Sequence, residues 1–380
     1  MTTSAVVVGA GIAGATVAFG LARRGVAVTV VDGELGGRAT AAGAGIIQPW
    51  SSAATGPYYE LYARGAAHHP TLIAQLAELG ITDLGHRRCG SLVVADDPAA
   101  IDAVEARLRA RRPAAPAMGA VERLDARAIQ DRFPPLRDDL HGVCVAGGAR
   151  VDGRLLVAGV INAVEQLGGA VRRGTVAVRP APAGRVDVTV DGQSIDGDVI
   201  VVTAGAWTRP LLGPLGTAID VEPQRGQIVH LHLAGADTAP WPTVVAVGDH
   251  YLVPFDGGRI VAGATRETGS GFDPRVTAGG LQRVLADALA LAPGLADATL
   301  VEVRVGLRPL ASGMVPTVGP VPGRPGAYVA TGYGAAGLTM APVLGDALAE
   351  LIVTGRAPFE LPAGALRPPP TRDRGARAGR

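Results

Sequence analysis

A chain of 380 residues that is 48% hydrophobic and 4% aromatic, with 54 glycines, has the composition of a globular α/β protein large enough for two packed domains, which excludes disordered and fibrous classes. Its net charge of +1, with acids and bases interspersed, leaves no basic face for a nucleic acid and favours a small-molecule partner. All 35 basic residues are arginine, so no Schiff base or lysine general base can operate.

The first candidate element is an uncharged run over 5–22 that competes between a membrane segment and a nucleotide site. Residues 1–4 carry no basic side chain, whereas a signal peptide needs a positive leading region, and no membrane span is expected. The nucleotide reading accounts for each part: a buried strand over 5–8, a turn over 9–14 and a helix over 15–24. Gly9 permits the tight turn, Gly11 lets a diphosphate approach the backbone, and Gly14 allows the helix to pack on the strand. Ile12 and Ala13 add backbone N–H groups at the positive end of the helix dipole. Gly25 closes the helix, a second strand covers 26–31, and Asp32, 18 residues past Gly14, stands where an acid accepts hydrogen bonds from a ribose.

Small residues dominate 35–47, with Arg38 the single charge among Ala39, Thr40, Gly43, Ala44, Gly45 and Ile46; they leave room for a large planar group and offer it main-chain N–H groups. Alternating or apolar strands follow over 91–95, 199–203, 227–233, 243–247 and 258–263, with helices at 97–111, 153–167 and 277–291. Cys89 and Cys144 are isolated, which fits a reducing, cytoplasmic compartment. His68-His69, His230-x-His232 and His250 lack a third ligand at suitable spacing, so no metal is expected. Near the end, a strand over 327–331 feeds a second glycine turn, Gly332 to Thr339, and a helix over 338–353; this second helix N-terminus favours a flavin over a nicotinamide. From 361 onward the prolines and arginines read as a disordered basic tail.

Eight segments occur in an order that resembles the D-amino-acid oxidase family of FAD-dependent oxidoreductases, the group of glycine oxidase, sarcosine oxidase and D-amino-acid dehydrogenases. They are VVVGAGIAGATVAFGLARRG at 6–25, ATAAGAGII at 39–47, ARVDGRLLVAGVINAVEQLGG at 149–169, IVVTAGAWT at 200–208, PQRGQ at 223–227, YLVPFDGGRIVAGAT at 251–265, GLRP at 306–309 and YVATGYGAAGLTMAP at 328–342. The resemblance implies a Rossmann-type FAD-binding domain (1–90, 146–215 and 310–360) interleaved with an α+β substrate domain on an antiparallel sheet (91–145 and 216–309). It adds Gly33, Val176, Ala204, Gly205, Trp207, Arg308, Gly334, Ala335, Ala336, Gly337, Leu338 and Thr339 to the cofactor contacts. Both cysteines precede residue 150, away from the C-terminal half where relatives attach the flavin, so FAD is expected to be non-covalent.

The resemblance further implies oxidation of the C–N bond of a small amino acid or amine of glycine, sarcosine or D-amino-acid type, by hydride transfer to flavin N5, with oxygen or another electron acceptor. Arg is best for the substrate carboxylate because its fork binds both oxygens, and Arg308 of GLRP is the candidate, against the plainer reading of an ion pair with Glu302. Tyr251 is expected to help it, with Gln48, Trp50 and Tyr333 as walls and Trp207 as a largely structural residue. Ser312 stands where relatives carry an acid, and Tyr333 where many carry histidine, so the pocket is expected to differ from theirs. A tailoring amine oxidase of a biosynthetic pathway, a tRNA-modifying flavoprotein and a flavin binder without turnover are the other readings; homo-oligomerisation is open.

Overall fold

Residues 5–8 are all buried, because their strand, Ser4–Val8, runs through the middle of a six-stranded sheet. The structure, a computed structural model, describes residues 3–248, 250–364 and 366–367. In space the sheet runs Thr317–Pro320, Ala327–Thr331, Val199–Val202, Ser4–Val8, Ala27–Asp32, Ala170–Arg173, parallel throughout except for the antiparallel first pair. Both faces are covered, as a parallel sheet requires. Ala5 and Val7 point to a core shared with the helices Ile12–Ala22, Gly153–Gln166 and Gly337–Thr354. Val6 and Val8 point the other way, against Val178, Val188 and Val190 of a three-stranded sheet.

The second sheet has nine strands, ordered Glu267–Thr268, Val221–His232, Arg259–Gly263, Tyr251–Pro254, Thr243–Ala246, Ser91–Ala95, His141–Val145 and Val121–Leu124, with Thr299–Ala311 also paired to Val221–His232. Every pairing is antiparallel except Thr243–Ala246 with Ser91–Ala95, which is parallel. That seam joins two separate passes of the chain, so no hairpin dictates opposite directions there. One face packs Leu92, Val94, Leu231 and Leu252 against the helices Ala126–Arg132 and Ala278–Leu291. Alternation turns Val93, Ile228, Val245 and Tyr251 to the other face, where a cavity separates the two sheets.

Several elements differ from the sequence expectation. The first helix is Ile12–Ala22, starting three residues before 15, because the glycine turn already forms its opening; Gly25, at φ +78°, follows it. The 22-residue helix Gly56–Ala77 contains Gly65 and Pro70, which disguise its periodicity. Gly65 is needed there, since an added Cβ would lie 2.4 Å from the Thr339 carbonyl oxygen of the neighbouring helix. The strand Thr299–Ala311 is likewise hidden by Gly306 and Pro309, and it carries GLRP along an edge pairing. Helix Gly337–Thr354 is long and apolar enough to cross a membrane, but two thirds of it is buried inside the fold. Leu366–Arg367 pairs with Ala218–Ile219, so the chain stays with the fold beyond 361; the rest of the expected tail, 368–380, lies outside the described residues.

Candidate active site

A cavity of about 1300 Å³ lies between the sheets, larger than the roughly 300–1,000 Å³ of an ordinary small-molecule site and suited to a dinucleotide with a substrate beside it. At one end Gly9 leaves the first strand at φ +111°, its N–H donating to the Val31 carbonyl at 2.7 Å. An added Cβ there would lie 2.7 Å from the Thr203 carbonyl. The helix then begins at Gly11 with no side-chain cap and no acid in its first turn, which leaves backbone donors and the positive dipole end for an anion. Thr40 comes to this end, its Oγ1 accepting from the Ile12 N–H at 3.1 Å. Asp32 closes it, buried and ion-paired to Arg38 at 2.9 Å. Gly205 and Gly334, at φ +54° and +53°, open on empty space where a Cβ would meet nothing within 4 Å.

These features fit the diphosphate, ribose and ring of an FAD. Of the residues expected around the cofactor, all but Gly14 line the cavity: Gly9, Gly11, Ile12, Ala13, Asp32, Gly33, Arg38, Ala39, Thr40, Gly43, Ala44, Gly45, Ile46, Val176, Ala204, Gly205, Trp207, Arg308 and the turn Gly334 to Thr339. Gly14 sits behind the turn, where a Cβ would come within 1.8 Å of the Gly9 carbonyl oxygen. Its part is the close packing of helix on strand. Trp207 lines the cavity and stacks on Phe272, with ring centroids 5.6 Å apart.

On the side of the nine-stranded sheet the structure brings Arg308, Tyr251, Gln48 and Tyr333 to the same cavity. Arg308 reaches it from the middle of Thr299–Ala311, donating to the Thr265 carbonyl at 3.0 Å and to Gln224 Oε1 at 3.4 Å. Glu302 is not its partner: six residues back along an extended strand is about 20 Å away, and Glu302 meets Arg304, Arg154 and His230 instead. Burial pushes the Tyr251 hydroxyl above its ordinary pKa, while the neighbouring Arg308 and Arg266 pull it back. Gln48 is committed to its own turn, exchanging hydrogen bonds with Ser51 at 2.9 and 3.2 Å. The Tyr333 hydroxyl is buried with no hydrogen-bond partner among the described residues, and the residue lines the cavity. Trp50, expected as a wall, belongs to the core, 2% exposed and absent from the lining.

The lining also includes Tyr58, Tyr62, Arg107 and Arg266, none of which the sequence motifs single out. Tyr58 and Tyr62 stand one turn apart on the disguised helix Gly56–Ala77, and Tyr62 lies beside Thr339. Arg266 directly follows the YLVPFDGGRIVAGAT segment, and a cation so close to that segment is a usable signal. Arg111 ties the loop beside them, donating to the carbonyls of Trp50 and Ser52 at 2.7 Å each and to that of Ala54.

A fold with one parallel sheet carrying a glycine turn and one antiparallel sheet carrying an arginine, joined across one cavity, defines an FAD-dependent oxidoreductase. The profile of the family described as FAD dependent oxidoreductase (DAO) matches residues 4–351, and the chain belongs to that family. It is 43% identical to the oxidoreductase YurR of Bacillus subtilis (strain 168), over 96% of this chain and 99% of that one. To the glycine oxidase of Pseudomonas putida KT2440 it is 32% identical, over 96% and 98% of the two chains. The crystal structure of iminodiacetate oxidase from Chelativorans sp. BNC1 superposes with a TM-score of 0.91 at 47% identity, covering 94% of this chain and 97% of that one. The chain is therefore an FAD-dependent oxidoreductase acting on C–N bonds.

Proposed function

We propose that this enzyme oxidises a small amino acid whose carboxylate is held by Arg308, with glycine, sarcosine, iminodiacetate and small D-amino acids as the substrates to test, giving an imine that hydrolyses to the oxo acid and an amine or ammonia. Bound FAD supplies the redox chemistry by taking up the hydride from the carbon beside the nitrogen. The residues of the chain do the rest. Arg308 is the fork that fits a carboxylate, and it is fixed by Thr265 and Gln224 before substrate arrives, which lowers the ordering cost of binding. Tyr251, held protonated by its burial, can donate a second hydrogen bond to the same carboxylate. The cationic surroundings disfavour a protonated amine, so they favour the neutral nitrogen whose lone pair the oxidation needs.

The observation that carries this reading is the position of Arg308 in a cavity where Asp32, at the far glycine turn, is the single carboxylate among the described lining residues. The test is anaerobic reduction of the purified yellow holoprotein by each of these amines, followed by admission of air. Bleaching by at least one, lost in Arg308→Met, is the expected result. An oxidised spectrum that survives the whole panel would overturn it.

A further inference from the structure

Helix Pro98–Arg111 sends two residues one turn apart, Val104 and Arg107, into the cavity. Its other arginines are engaged: Arg109 pairs with Glu105 at 2.6 Å, and Arg111 holds three carbonyls and lies over the Tyr59 ring. Its acids are engaged too, Asp102 and Glu105 both meeting Arg123. Arg107 makes no hydrogen bond or ion pair among the described residues, although its Nε is buried. A buried guanidinium donor without a partner costs free energy that a fold normally avoids, so its retention calls for an anion from outside the chain.

The surroundings say where that anion comes from. Arg107 lines the cavity together with Ser51, Ser52, Val93 and Val104, on the side of the nine-stranded sheet. The sole described lining carboxylate, Asp32, is paired with Arg38 at the glycine turn. The substrate end therefore carries Arg107 in addition to Arg308. One carboxylate engages one fork, which leaves Arg107 for a second.

We propose that Arg107 binds a second carboxylate of the substrate, so that the enzyme prefers dicarboxylic amino acids, with the extra carboxylate on the arm beyond the nitrogen or on the side chain, over their monocarboxylic counterparts. This rests on the amino-acid oxidation proposed above and adds to it a specificity-determining residue. A charge-assisted hydrogen bond between the two shifts a binding constant by about 10- to 100-fold.

Two measurements test it. In the first, kcat and KM are compared for iminodiacetate against sarcosine and for D-aspartate against D-alanine, in the wild-type holoenzyme, Arg107→Gln and Arg107→Lys. The wild type is expected to favour the dicarboxylate of at least one pair. Arg107→Gln is expected to cut kcat/KM for that dicarboxylate about 10- to 100-fold more than for its partner, mostly through KM, and Arg107→Lys to restore part of the loss. Which pair responds tells the nitrogen arm from the side chain. No preference in the wild type, or an equal loss for both members of each pair, overturns the proposal. In the second, calorimetric titration of the wild-type holoenzyme compares glutarate, which replaces the nitrogen of iminodiacetate with a methylene, against butyrate, which keeps one carboxylate. Tighter glutarate binding is expected, and equal binding would refute the second site. If no amine reduces the flavin, the oxidation reading falls while this titration, repeated on Arg107→Gln, still judges Arg107: loss of the glutarate preference in the variant supports the site, and its retention refutes it.

Discussion

The guanidinium of Arg308 rests on the backbone of Gly226, so closely that a Cβ built on the glycine would lie 2.4 Å from Nη2 and 2.5 Å from Cζ. Gln224 stands directly across from Arg308 on the paired strands, and Gly226 is two residues further along the same face. The missing side chain is the seat of the arginine. Gly226→Ala is expected to unseat it and raise KM for carboxylate substrates by about tenfold or more, with FAD content unchanged. Steady-state kinetics with a flavin count per chain checks both parts; an unaltered KM would show that the seat is dispensable.

Arg308 itself separates charge from geometry. Arg308→Lys keeps the charge but loses the fork, and Arg308→Met loses both. A graded fall in kcat/KM is expected, roughly tenfold for lysine and a hundredfold or more for methionine. Equal losses would mean that the fork contributes nothing beyond its charge.

Gly14→Ala should damage cofactor binding without touching the cofactor. The new methyl would fall within 1.8 Å of the Gly9 carbonyl oxygen and 2.6 Å of Thr203 Oγ1, which forces the helix away from the first strand at a cost of about 1–3 kcal/mol. Flavin loss on dialysis and a lower Tm are the expected readouts, and full retention of both would contradict the packing role.

Acid sensitivity should trace partly to His69. This side chain is 1% exposed, its Nε2 lies 3.0 Å from the Leu338 carbonyl at the second glycine turn, and burial lowers its pKa to about 3. The folded state therefore refuses a proton that the unfolded chain accepts near pH 6.5. The stability contribution is fully present above that value and is lost as pH falls from about 6.5 through about 3, amounting to roughly 2 kcal/mol by pH 5. His69→Gln keeps a donor for Leu338 but cannot titrate. Its Tm should decline less between pH 7 and pH 5 than that of the wild type; parallel declines would assign the acid sensitivity elsewhere.

Short-range chemistry was legible in the residue order. Gly9, Gly11 and Gly14 at their spacing, with Asp32 after the second strand, specify a dinucleotide turn because each glycine answers a backbone requirement met within a few residues of it. The loop 39–46 and the turn 334–339 were readable for the same reason, and all of these positions except Gly14 and Ala41 line the cavity. Arg308 was reachable through GLRP.

What only the tertiary structure decided is which side chains beyond those motifs face one another. Arg308 and Gln224 are 84 positions apart, and Tyr62 meets Thr339 from a helix whose Gly65 and Pro70 hide its period. Arg107 looks in the sequence like any other arginine of a charged helix. Its difference from Arg109 is the direction it points and the absence of a partner, and both depend on how distant segments pack, which no local pattern of residues encodes.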